Sequence, residues 1–326
     1  MRELRAGVIG VGAMGRNHVR VLSTLRQAEL VGIADASAER ATEVAGAYGV
    51  PAYTDYRRLL EQVDVVTIAT PTVTHCELGL AALDAGVHAL IEKPLASSPA
   101  EARRLCVRAE EKRLKLQVGH IERFNPAVRE LPAILAGARL IALAARRLSP
   151  TVRVVDVDVV LDLMIHDLDI LCHLVGAEPI YVDAVGTSIR GNGVDHAMAH
   201  LTFPGGVVGQ LTASRMTAQK VRTLDAVVEG AHVELDYVSR EVVIHRETVV
   251  GDSWRGNHVS YRQAGVLEKV FVPNAEPLQL EQEAFVACVR EDTKSPVSGE
   301  EGLRAVELAT RVQQQIARNG EARDPA

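Results

Sequence analysis

Cysteine is scarce in this chain of 326 residues: Cys76, Cys106, Cys172 and Cys288 stand alone, with no Cys-x-x-Cys pair and no Cys/His cluster among them. That spacing offers no structural zinc site, so no metal is expected. A chain this large with so few thiols is not a disulfide framework. No apolar run approaches the roughly 18–20 residues that a membrane helix needs, which excludes a membrane partner. The opening residues, Met1-Arg2-Glu3, lead almost directly into a strand-like run and lack the make-up of a secretory signal, so the chain reads as cytoplasmic. Positive charge is not in excess either. A formal net charge of −6 and a pI near 6.0 leave no basic face for nucleic acid, though a local basic pocket is compatible with them. No internal repeat is visible.

Hydrophobic residues make up 47% and charged residues 24%, the balance of a soluble globular protein with sizeable cores. At roughly 100–200 residues per domain, the length points to two domains. Over the first 120 residues short apolar runs (Leu4–Ile9, Glu29–Ala34, Val63–Ala69, Val87–Ile91 and Leu114–Val118) alternate with helical patterns such as Ser37–Ala47, His75–Ala85 and Pro99–Lys112. The runs lack polar/apolar alternation, as strands of a parallel sheet do when helices cover both faces. Gly86 sits where a helix C-terminal cap would, and Pro99 where a first helical turn tolerates it.

After about residue 122 the pattern changes. A helix is predicted over Pro126–Ala136, strands over Leu140–Arg147 and Val152–Val160, and a helix over Leu161–Val175. Strands follow over Ile180–Ile189, His196–Phe203, Val207–Ala213, Leu224–Glu229, Val233–Asp236 and Val242–His245. Short turns such as Pro204-Gly205-Gly206 imply an antiparallel sheet. The polar, Gly-containing stretch Gly251–Gly265, with Trp254, reads as a loop. Helices over Glu281–Arg290 and Glu300–Ala317 close the chain. The expected division is a doubly wound parallel domain, 1–121, and an α+β domain with an open, mainly antiparallel sheet, 122–326, whose last helix can pack back on the first domain.

Gly10-Val11-Gly12-Ala13-Met14-Gly15 is a Gly-x-Gly-x-x-Gly turn that follows a strand and opens a helix, the context a dinucleotide-binding turn requires. Gly10 permits the tight turn, Gly12 lets backbone approach a pyrophosphate, and Gly15 lets helix and strand pack closely. The N–H groups of Ala13 and Met14 then belong to a helix N-terminus suited to phosphate. Asp35 ends the second strand, 20 residues beyond Gly15, where a carboxylate accepts from ribose hydroxyls and repels a 2′-phosphate. Arg40 is expected on the exposed face of the following helix, so NAD is the expected cofactor. Thr70-Pro71-Thr72, with His75, and Glu92-Lys93-Pro94 lie at the carboxyl ends of later strands, where open α/β sheets bind ligands. Thr72 serves equally well as a helix cap.

Together with Asp162-x-x-x-His166, these motifs resemble the glucose–fructose oxidoreductase / inositol dehydrogenase / MocA family. The segments Gly119–Pro126, Asp162–Asp169 and Thr212–Arg215 resemble a subgroup that oxidises the 3-hydroxyl of UDP-N-acetylglucosamine, so that an aminotransferase can aminate the ketone for lipid A-type synthesis. The resemblance implies an NAD-dependent dehydrogenase acting on a sugar hydroxyl, a nucleotide-sugar substrate, and a homodimer or homotetramer. Inositol or free-sugar oxidation is the alternative within the family. A non-catalytic NAD-sensing regulator is the alternative outside it, disfavoured because Lys93, Asp162 and His166 are all present.

In the implied site, Asp162 and His166 share one helix face. His166 suits the base role, with Asp162 orienting it, while Lys93 polarises the reacting oxygen or shares the proton transfer; either Lys93 or His166 can be the principal base. His120 lines the nicotinamide pocket or caps the domain junction. Arg123, Asn125, Arg147 and Arg215, with Lys93, Asp162 and His166, are the candidate substrate contacts, arginine forks being matched to phosphate oxygens. Arg146 and Arg147 are neighbours on a strand, so only one faces a cleft. Asp169 and His173 read as structural or peripheral.

Overall fold

The computed structural model describes the backbone of residues 3–150, 157–189, 193–255 and 258–321, and all their side chains except those of 247–264 and 321. The first half folds as β1 (Leu4–Ile9), α1 (Ala13–Leu22), β2 (Ala28–Ala34), α2 (Ala38–Tyr48), β3 (Ala52–Tyr53), α3 (Tyr56–Leu60), β4 (Val65–Ile68), α4 (His75–Asp84), β5 (His88–Glu92), α5 (Pro99–Lys112) and β6 (Leu116–Gly119). These strands form a six-stranded sheet in the order β3-β2-β1-β4-β5-β6, every pair parallel. All four residues of β4 and of β6 are buried, as expected where helices cover both faces. The helices obey local rules: Ser37 caps α2 by accepting from Arg40 N, and Ser98 caps α5 with Pro99 in its first turn.

The remainder runs α6 (Pro126–Leu135), β7 (Leu140–Leu148), a π-type turn (Val160–Met164), α7 (Ile165–Val175), β8 (Tyr181–Thr187), β9 (His196–Thr202), β10 (Val208–Ser214), β11 (Val221–Val228), β12 (Ala231–Asp236), β13 (Glu241–Arg255), β14 (His258–Lys269), α8 (Pro277–Arg290) and α9 (Gly299–Glu321). The strands form an eight-stranded sheet in the order β14-β13-β12-β11-β7-β10-β9-β8. It is antiparallel except for the β7–β10 pair. Here burial alternates: Leu224 and Ala226, Val233 and Leu235, and Val242 and Ile244 are buried, while the residues between them are not. One face therefore carries a core and the other does not.

Two compact units result. The first comprises residues 1–124, 153–169 and 275–313; the second comprises 125–152, 170–274 and 314–326. The return of α8 to the first unit is hydrophobic: Phe285 and Val286 join Val8, Val19, Leu22 and Ile33 in one buried cluster.

Two expectations are corrected. The strand expected over Val152–Val160 lies partly outside the described residues, and Val159–Val160 enter the helical turn instead. Asp158 Oδ1 accepts from the N–H groups of Val160 and Leu161, at 3.0 and 3.1 Å, so a side-chain cap turns the end of an apolar run into a helix start. The loop expected over Gly251–Gly265 instead contributes to both strands of a two-stranded ribbon, with Asp252 opposite Tyr261 and Trp254 opposite Val259. Backbone pairing satisfies such a stretch whatever its polarity.

Candidate active site

In the first unit, the strand order reverses between β1 and β4, and open α/β sheets bind ligands at the carboxyl ends of strands beside such a reversal. A cleft of about 590 Å³ lies there, lined by Gly10, Gly12, Asp35, Arg40, Thr70 and Pro71 among others. Gly10 and Gly15 are required by space. Gly10 has φ +87°, and a Cβ on it would sit 2.6 Å from Thr70 Cγ2; a Cβ on Gly15 would sit 1.8 Å from Gly10 O. A Cβ on Gly12 would meet nothing within 4 Å, so its backbone faces open space. Gly12 is also the N-cap of α1, and no side chain caps that helix. The Ala13–Gly15 turn thus offers uncapped N–H groups to a phosphate.

Asp35 is buried and hydrogen-bonded on both oxygens. It accepts from Val11 N (2.9 Å) and Ser37 N (2.8 Å), and from Arg40 through Nε (2.9 Å) and Nη2 (2.6 Å). Arg40 stays exposed on α2, yet its guanidinium reaches back to Asp35. It does so because a short carboxylate with a side chain only 4% exposed needs compensation for its lost hydration. Burial pushes the Asp35 carboxyl up, but Arg40 and the two backbone N–H groups outweigh it and hold it below the usual carboxylate range.

The later strand ends are tied together by His75. Its Nδ1 lies 2.8 Å from Pro94 O and its Nε2 lies 2.9 Å from Thr70 O, which fixes the Thr70-Pro71 corner against the Lys93-Pro94 corner. Thr72 opens a 3-10 turn, Thr72–Thr74, and α4 starts only at His75. The Lys93–Pro94 peptide is cis.

Lys93 Nζ donates to Asp162 O at 2.7 Å and to Asp162 Oδ1 at 3.1 Å, a partnership that spacing alone did not assign. Asp162 sits in the π-type turn, so the wide turn presents a carbonyl and a carboxylate to one ammonium. His166 follows in the first turn of α7, half-buried, with its ring edge-on to that of His120 at 6.4 Å between centroids. His120 is buried, and neither ring nitrogen has a hydrogen-bond partner. Burial pushes its pKa down, so it stays neutral. Lys93, Asp162, His166 and His120 are thus brought together within one compact unit.

The other candidates are distributed differently. Arg123 is held by Asp169 (2.6 and 3.0 Å) and Glu301 (3.1 Å). Burial opposes its charge, but the two carboxylates outweigh burial and raise its pKa. Asn125, in the second unit, caps α6 by accepting from Ala127 N and donates to Tyr237 O at 3.2 Å. In that unit Arg147 is buried with its guanidinium over the Tyr237 ring, and Arg215 donates to Asp195 Oδ1 at 2.8 Å. Sequence reasoning missed His18, Glu281, Gln282 and Glu301; of these only His18 left a trace, on the buried face of α1 with Gly15, Val19 and Leu22.

Residues 4–120 match the model for an oxidoreductase family with an NAD-binding Rossmann fold, and residues 147–234 match the GFO/IDH/MocA C-terminal domain. The chain belongs to the GFO/IDH/MocA oxidoreductase family. It is 35% identical to the UDP-N-acetylglucosamine 3-dehydrogenase of Acidithiobacillus ferrooxidans over 96% of this chain and 97% of that one. A solved structure of that enzyme superposes with a TM-score of 0.87, covering 98% of this chain and 99% of that one at 34% identity. The inositol 2-dehydrogenase of Rhizobium meliloti is 26% identical over 96% of this chain and 97% of its own. This GFO/IDH/MocA protein is thus an NAD-dependent oxidoreductase acting on CH–OH groups, and its glycine turn and Asp35 fit that cofactor. Among the described residues, no helix is long and apolar enough to cross a membrane.

Proposed function

We propose that the protein oxidises the 3-hydroxyl of UDP-N-acetylglucosamine to the 3-keto sugar. The observation that carries this reading is the end-to-end likeness to a UDP-N-acetylglucosamine 3-dehydrogenase at 35% identity. The likeness to an inositol dehydrogenase, equally long but at 26%, supports a polyol substrate less strongly.

Gly10, Gly12, the first turn of α1 and Asp35 would hold NAD, which when bound supplies the acceptor for the carbon-bound hydrogen. The protein's own task is the hydroxyl proton. Lys93, held by two oxygens of Asp162, has one remaining N–H direction for a substrate oxygen. His166 is the partner able to take the proton near neutral pH. His120, neutral and buried, bounds His166 without adding charge. Arg147, buried against Tyr237, and Arg215, paired with Asp195, hold structure within the second unit. Arg123 and Asn125 likewise act by holding structure. Association of copies, and an aminotransferase that consumes the ketone, belong to the same reading.

The test is a comparison of initial rates with NAD at matched concentrations of UDP-N-acetylglucosamine, N-acetylglucosamine and myo-inositol. NADH formation with the nucleotide sugar at a kcat/KM at least about a hundredfold above the others is expected, since a lost diphosphate contact is worth on the order of 3 kcal/mol. Preference for inositol would overturn the reading.

A further inference from the structure

Glu92 ends β5 immediately before Lys93, and its carboxylate is buried rather than presented to solvent. Its Oε1 lies 2.8 Å from His18 Nε2, and its Oε2 accepts from Lys93 N at 3.1 Å. On α8, Gln282 donates its amide nitrogen to His18 Nδ1 at 2.8 Å and to Thr67 Oγ1 at 3.0 Å. With Nδ1 accepting, the ring proton sits on Nε2 and is donated to Glu92. Glu92 is therefore a carboxylate with a hydrogen bond on each oxygen.

Its neighbour Glu281 is in the opposite condition. It is fully buried, and neither carboxyl oxygen has a partner. An oxygen of Glu281, an oxygen of Glu92 and a ring nitrogen of His18 all lie within 4.8 Å of one another. Two carboxyls this close in a dry core do not both ionise. Burial, and then the charge of Glu92, push Glu281 well above the usual carboxylate range. Burial pushes Glu92 up as well, but His18, through its hydrogen bond and its electrostatic pull, and then Lys93, through its charge and its N–H, outweigh burial and hold Glu92 low. A metal ion does not account for the cluster: the His18–Glu92 separation is that of a hydrogen bond, and Gln282 leaves the proton on the nitrogen a metal would need.

We infer that Glu281 is a permanently protonated acid whose proton lets Glu92 remain ionised, and that Glu92 is a positioning residue, fixing one negative charge directly behind Lys93. The second half rests on the role given to Lys93 above; the first half does not. The groups that face these residues are His18 and Glu92 around Glu281, and Glu92, Asp162 and His120 around Lys93.

Two variants test the two halves separately. Glu281→Gln replaces a neutral acid with a neutral amide of the same shape. In the natural protein the folded state keeps a proton that the unfolded chain releases above its ordinary pKa of about 4.3. Its folding equilibrium constant should therefore fall relative to the variant by up to about tenfold per pH unit above that value. Urea unfolding from about pH 5 to about pH 8 reads this without any activity, and a gap that stays constant with pH would overturn the protonated-acid assignment. Glu92→Gln keeps the hydrogen-bonding shape and removes the charge. The acid limb of the kcat/KM profile should move to lower pH by roughly one unit. A lowered kcat with an unmoved profile would make Glu92 a strut only and overturn the positioning role. If Glu92→Gln fails to fold, Glu92→Gln combined with Lys93→Met gives the contrast: a positioning charge predicts recovered stability in the double variant, whereas equal loss overturns it.

Discussion

Lys93 Nζ spans two oxygens of one residue, the backbone carbonyl and the carboxylate of Asp162. Only one of those acceptors depends on the side chain. Lys93→Met should lower kcat by about 10²–10⁴, the usual scale for a positioned proton-transfer or polarising group, while the protein folds and binds NAD. Asp162→Asn should cost less, about 10–100-fold, because the carbonyl still holds the ammonium. Steady-state kinetics with binding measured separately checks both, and full activity in Lys93→Met would remove Lys93 from the chemistry.

Asp35 and Arg40 set the cofactor preference together. Asp35→Ala should weaken NAD binding about tenfold, through lost ribose contacts and a loosened Val11 turn, and should release Arg40 to meet a 2′-phosphate. Affinity for NADP should then fall less than affinity for NAD, or rise. Arg40→Ala on top of Asp35→Ala should cancel that gain. Isothermal titration of both cofactors checks the prediction, and equal losses for the two would contradict it.

Arg123 is the cation that pairs with Asp169, which is buried, and with Glu301, which is half-buried. Removing one member of a buried ionic group leaves uncompensated charge and costs about 3–5 kcal/mol. Arg123→Met should therefore lower the urea midpoint sharply, and Arg123→Lys should restore only part, lacking the planar fork. A kinetic defect with unchanged stability would instead place Arg123 at the substrate.

His120 gives a pH signature. Burial holds its folded pKa below the ordinary value of about 6.5, so on acidification the unfolded chain takes up a proton that the fold refuses. Stability is lost as pH falls from about 6.5 toward the folded pKa, by up to about 1.4 kcal/mol per unit. His120→Gln should flatten that part of the stability profile. His88 is pushed down by burial too, so some acid sensitivity should persist in the variant.

The parallel sheet was legible because its signals are local: continuous apolar runs, Ser98-Pro99 at a helix start, and a glycine turn after a strand. Lys93 and Asp35 were legible as strand-end residues for the same reason. The reach of Arg40 back to Asp35 was not legible, because it is driven by a carboxylate desolvated only in the tertiary structure. The pairing of Lys93 with Asp162 needed the π-type turn, which 3.6-residue periodicity does not reveal. The burial of Glu281 depends on α8 returning from late in the chain to pack beside Val8 and Ile33. The β13–β14 ribbon was hidden because backbone pairing leaves little mark on composition.

The most direct measurement uses UDP-N-acetylglucosamine carrying deuterium at carbon 3, with NAD and an amine reagent that traps ketones. The account predicts trapped 3-keto nucleotide sugar and an equal amount of NADH carrying the deuterium. NADH without the label, or no product from a protein that binds NAD and turns over inositol, would contradict it.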